Sequence, residues 1–103
     1  MSLDKYLPLT ETTFYIMLAL TECGHGYVIM QRVEELSEGR VRIAAGTMYG
    51  AIENLTKQEL IEAVPTEDKR RKVYQLTHKG GAVLKLEIER LKGLVKIAEQ
   101  IGF

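Results

Sequence analysis

The sequence predicts a mainly α-helical domain with one small β-hairpin and a long terminal helix. Three observations carry that expectation. Apolar residues recur at helical spacing in four separate segments. Two short stretches, "LIEAV" (Leu60 to Val64) and "KVYQLT" (Lys72 to Thr77), flank the turn-forming "PTEDKRR" and read as paired strands. After that hairpin an amphipathic pattern continues nearly to Phe103. At 103 residues, with 46% hydrophobic and 27% charged side chains, the chain has the size and composition of one folded domain.

In chain order, Thr10 is placed to cap a first helix that runs to about Glu22, with Glu11 in its first turn. Residues 14 to 20, "FYIMLAL", are apolar nearly all round, so this helix should be covered on more than one side. "CGHG" (Cys23 to Gly26) breaks the pattern, with Cys23 expected as a small buried residue. A second helix follows from near Tyr27, with Ile29, Met30, Val33 and Leu36 facing inward and Gly39 at its C-terminal cap. "RVRIA" (Arg40 to Ala44) alternates charged and apolar residues and suits a short strand. The third helix covers residues 44 to 58, and the last begins near Thr77 or Lys79. Three helices followed by a basic hairpin describe a winged helix-turn-helix, in which the third helix enters the major groove of DNA.

The third helix carries the chemistry that suits such a role. With Met48 at the centre of its buried face, Ala51, Ile52 and Leu55 fall within about 60°, while Gly46, Gly50, Glu53 and Lys57 land opposite. Thr47 and Asn54 occupy one flank and Tyr49 the other. Each interior glycine costs a helix about 1 kcal/mol relative to alanine. Two of them on one exposed face are explained by close approach of a large, flat polar object. Hydroxyls of Thr47 and Tyr49 can bond phosphate oxygens, and Asn54 can reach a base edge. Fourteen basic residues balance fourteen acidic ones, so bulk charge does not argue for nucleic acid. The local run Lys69, Arg70, Arg71 and Lys72 does, because it places four cations beside that helix, and Lys57 on the helix itself favours DNA with them.

The residues resemble the PadR-like transcriptional regulators, bacterial winged helix-turn-helix repressors. The likeness rests on "LTETTFYIMLAL", on "HGYVIMQRVEELSEGRVRIAAGTMYGAIENLTKQELIE", and on "DKRRKVYQLTHKG", which together span about residues 9 to 81. Ala45 stands where such proteins often show proline, a departure at the start of the third helix. The resemblance implies a dimer on DNA, with Thr47, Tyr49, Gly50 and Asn54 at the recognition helix and Lys69 to Lys72 in the wing. It also implies a small-molecule effector, often a phenolic acid or a drug-like aromatic compound. The chain looks like the smaller subgroup of that family.

The terminal helix supports dimerisation independently. Leu84, Ile88, Leu91, Val95 and Ala98 form a coiled-coil-like seam, and Val83, Leu86, Leu94, Ile97 and Ile101 form a second stripe beside it. Together they cover about 200° of the helix, twice what a one-sided surface helix needs. Residues 1–78 are therefore expected to be the DNA-binding domain and 79–103 the dimerisation helix. The partner expected is a double-stranded inverted repeat.

Other classes are disfavoured. His25 and His78 lie far apart with no metal-ligand spacing, and no nucleophile–base arrangement or phosphate-binding glycine loop is present. Neither a metal, a cofactor nor an enzymatic activity is expected. A lone cysteine, no leader and no apolar run near the roughly 18 residues of a membrane span point to a cytoplasmic protein. The competing readings are a winged-helix module that binds protein, and a ligand-binding dimer without DNA function.

Overall fold

Thr10 opens the first helix as expected: its hydroxyl accepts the Thr13 N–H at 3.1 Å, and α1 spans Glu11–Ala19. The computed structural model describes residues 2–68 and 70–103. These form a 3-10 turn at Asp4–Tyr6, then α1, β1 (Gly24–His25), α2 (Gly26–Leu36), α3 (Ala45–Lys57), β2 (Ile61–Val64), β3 (Val73–Leu76) and α4 (His78–Ile101). Ile16, Met17 and Leu20 are fully buried, and Phe14, Tyr15 and Leu18 pack against the same core. The first helix is thus covered by both α2 and α4.

The hairpin forms in the expected register, with Ile61 opposite Leu76 and Val64 opposite Val73. It is not alone. Gly24 and His25 add a third strand antiparallel to β3, opposite Tyr74 and Val73, so the sheet order is β1-β3-β2. The strand expected at Arg40 to Ala44 is not formed: among the described residues this segment joins no sheet, and the Arg40 and Val41 N–H groups bond Ser37 instead, while Ile43 is buried and Val41 packs on the core.

Other local expectations are corrected. α1 stops three residues before Glu22, because the Arg32 guanidinium from α2 bonds the carbonyls of Ala19, Glu22 and Cys23 at 2.9–3.1 Å. Gly39 is left-handed at φ +80°, as expected of a C-terminal cap, but it sits at C″ of α2 and not at C′. Glu38 holds that position with φ +55°, its N–H bonding Glu35 O, while the Gly39 N–H reaches Glu34 O. Those two bonds make a complete Schellman turn. Leu36, expected inward, is 52% exposed beside that turn. Cys23 is exposed rather than buried.

α3 ends the same way, with Glu59 at φ +63° and the Leu60 N–H on Leu55 O. Thr77 caps α4, accepting the Gly80 N–H at 2.9 Å. The first turns of α4 belong to the chain's own core: Val83 is fully buried, and Leu84, expected at a partner interface, is only 5% exposed. Ile88 packs at the core's margin. Beyond it Leu91, Leu94, Val95, Ile97 and Ile101 are exposed, and Ala98 is half-buried.

Glu87 is a charged group inside this packing. Its carboxylate is buried, accepts the Leu9 N–H at 2.6 Å, and pairs with Arg90. The Arg90 hydrogen bond, joined by that of Leu9, holds its pKa below the usual carboxylate range against the opposing effect of burial. A depressed folded pKa stabilises the native state above the unfolded value of about 4.3, and the gain disappears as pH falls through the folded value. Glu87→Gln should therefore lower the melting temperature at neutral pH and lose less stability than wild type on acidification. Thermal melts between about pH 7 and pH 3 check this; parallel acid limbs would refute it.

Candidate nucleic-acid interface

α3 presents its two faces as its sequence implies. Met48, Ile52 and Leu55 are buried, and Ala51 packs against the core. Thr47, Tyr49, Gly50, Asn54 and Lys57 are all exposed, as are Gly46 and Glu53. A Cβ placed on Gly46 or Gly50 would meet nothing within 4 Å. Internal packing therefore gives no reason for either glycine. The helix begins at Ala44 with no side-chain cap, so its first-turn N–H groups stay available to an anion.

The helix is carried at this angle by the turn before it. The buried Ser37 hydroxyl accepts the Val41 N–H at 2.9 Å and donates to Glu34 O, folding the chain back between α2 and α3. Ser37 was not singled out by sequence pattern, because a serine in a polar loop gives no signal of burial.

The hairpin loop stands beside α3. Asp68 shapes it, accepting the Arg70 N–H on its carboxylate at 3.0 Å and the Arg71 N–H on its carbonyl at 3.2 Å. Arg70, Arg71 and Lys72 are exposed; Lys69 lies outside the described residues. Two open clefts join these elements. One, about 650 Å³, runs between α3 and the hairpin and is lined by Tyr49, Glu53, Lys57, Thr66, Arg71 and Lys72. The other, about 570 Å³, lies between the start of α2 and the hairpin, where His25, Gly26 and Tyr27 face Arg70, Arg71 and Lys72. Tyr49 borders both, its ring resting 3.5 Å from the Cβ position of Gly26.

The structure thus brings Tyr49, Lys57, Arg71 and Lys72 to one cleft, with Arg70 on the second. Thr47, Gly50 and Asn54 occupy the exposed surface of α3 outside those linings. Lys57 is already paired with Glu53 at 3.4 Å, a one-turn pair between exposed side chains. The outer face of α3 is in consequence nearly neutral, and among the described residues lining the two clefts the cations outside any ion pair, Arg70, Arg71 and Lys72, sit on the hairpin. Sequence pattern missed His25 and Tyr27 as members of this surface. The available signal was their position at the start of the first helix of the helix-turn-helix, which crosses the DNA backbone in such folds.

The model of the transcriptional regulator PadR-like family matches residues 16–86. No curated protein sequence matches the chain. Among solved structures, a PadR-like transcription factor from Bacteroides fragilis is 28% identical, with a TM-score of 0.74 over 88% of this chain and 89% of that one. A transcriptional regulator from Clostridium thermocellum is 21% identical, with a TM-score of 0.70 over 95% and 94%. BpsR of Bordetella bronchiseptica, whose DNA binding is regulated by 6-hydroxynicotinic acid, is 19% identical, with a TM-score of 0.68 over 90% of this chain and 69% of that one. The last two likenesses establish the fold alone.

Proposed function

The chain belongs to the PadR-like family of transcriptional regulators, and we propose that it acts as a homodimeric repressor on an inverted-repeat operator. Residues 1–78 serve as the DNA-binding unit and 79–103 as the dimerisation helix. Thr47, Tyr49, Gly50 and Asn54 meet the major groove. Lys69 to Lys72 neutralise flanking phosphates. Leu91, Leu94, Val95, Ala98 and Ile101 face the partner, with Ile88 at the margin. A small aromatic effector releases the DNA, a reading supported by the ligand-regulated DNA binding of BpsR. The site of action is the bacterial cytoplasm; among the described residues no helix is long and apolar enough to cross a membrane.

The observation that carries the DNA reading is an α3 whose outer surface is open over Gly46 and Gly50 and whose Tyr49 and Lys57 share a cleft with Arg71 and Lys72 of the hairpin. A helix that leaves two backbone positions bare, with nothing of its own chain to fill them, is shaped for an external surface. The cations supply the affinity that the helix face lacks. Replacing Arg70 and Arg71 together by alanine removes four charges from a dimer. Operator affinity should fall about 10- to 100-fold, and the slope of log K against log salt should flatten by about 3 to 4. Fluorescence anisotropy over a salt series measures both. An unchanged slope would remove the hairpin from the interface.

A further inference from the structure

The C-terminal end of α3 is bolted to the first turn of α4. A single hydroxyl, Thr77 Oγ1, donates to Glu59 O at 2.7 Å and accepts the Gly80 N–H at 2.9 Å. The Thr77 N–H bonds Leu60 O at 3.1 Å. Lys79 Nζ reaches Gln58 O at 3.1 Å while lying 4.9 Å from the Tyr6 ring centroid. Gly80 sits so close that a Cβ there would stand 2.0 Å from Leu60 O. Residues 58 to 60 form the Schellman turn that ends α3, so the C-cap carbonyl of Gln58 and the two carbonyls that follow it find partners on Thr77 and Lys79.

We infer that Thr77 and Lys79 are positioning residues that make the recognition helix and the terminal helix one rigid body, so that α4 sets the spacing between the two α3 helices of a dimer. The inference rests on the dimeric reading above. Neither side chain lines the clefts of the DNA face. Loosening the junction should therefore leave recognition of one half-site intact and relax the demand for a particular spacing. A flexible connection tolerates geometries that a rigid one forbids.

The test begins with the wild-type protein selecting its preferred inverted repeat from random duplexes. Dissociation constants are then measured for that repeat, for versions with the spacer changed by one or two base pairs, and for a single half-site. Wild type should lose about tenfold or more on each spacer change, whereas Thr77→Val combined with Lys79→Met should lose within about threefold at unaltered half-site affinity. Thr77→Ser keeps the hydroxyl and should restore the wild-type penalty. Lys79→Met alone leaves the α4 cap in place and should relax the spacing partially, which keeps the test open if the double variant is unstable. A double variant with the full wild-type penalty, or with half-site affinity falling in step, overturns the inference and leaves the dimer standing. A wild-type protein that binds one half-site as tightly as the repeat overturns the dimeric reading and the inference with it.

Discussion

Gly80→Ala should lower the melting temperature by about 10 °C or more. The added Cβ would lie 2.0 Å from Leu60 O and 2.9 Å from its carbonyl carbon, and both are backbone atoms that no rotamer change can move. Leu60 O already accepts the Thr77 N–H, and Leu60 itself is buried, so the strand end cannot shift without disturbing the core. Overpacking of a rigid site costs about 1–3 kcal/mol and sometimes more, and this contact lies at the severe end. Against a total stability of about 5–15 kcal/mol, that is a large share of the margin. Gly81 supplies the control. It is the next residue of the same helix, yet a Cβ there meets nothing within 4 Å. Gly81→Ala should be neutral or stabilising, by up to about 1 kcal/mol, through helix propensity alone. Paired thermal melts decide the matter. Equal melting temperatures for the two variants would mean that the α3–α4 junction is not packed as described.

Leu94→Glu combined with Val95→Glu should convert the protein to a monomer. Within one chain these side chains are 52% and 58% exposed, so charging them barely touches the monomer's own core. In a paired interface they would be desolvated, and burying four unpaired carboxylates costs several kcal/mol. Circular dichroism should remain helical while the mass by light scattering halves at micromolar concentration. Operator affinity should drop by about 100-fold or more as the second half-site ceases to be an intramolecular partner. A variant that keeps the dimer mass would move the interface away from this stripe.

The parts of this fold legible in the sequence are those decided by local periodicity and local capping. Thr10 before α1, the Met48–Ile52–Leu55 stripe of α3, the Asp68 turn and the length of α4 each follow from neighbours within a few residues. The misread parts are decided by distant groups. α1 ends early where Arg32 arrives from another helix to take the Ala19 carbonyl and those of Glu22 and Cys23 just beyond it. β1 exists because β3, almost fifty residues later in the chain, offers it an edge. Gly24 looked like a helix breaker, but it is also a packing glycine: a Cβ there would stand 2.9 Å from Arg32 Nη1. The left-handed residues Glu38 and Glu59 carry no compositional mark: both are exposed, and Schellman hydrogen bonds hold them where glycine is usual. On the candidate interface, the exposed residues of α3 were readable from the wheel. For His25 and Tyr27 the sequence offered only their position at the start of α2, and the cleft they line is completed by the hairpin folding back towards them.

The bare patch over Gly46 and Gly50 bears on how such a regulator diversifies. New side chains at either position would project outward, with no interior residue obliged to compensate. On the reading proposed above, the strip of α3 that would meet DNA thus carries no packing duty at these two positions, and changes there are separable from the hydrophobic interior.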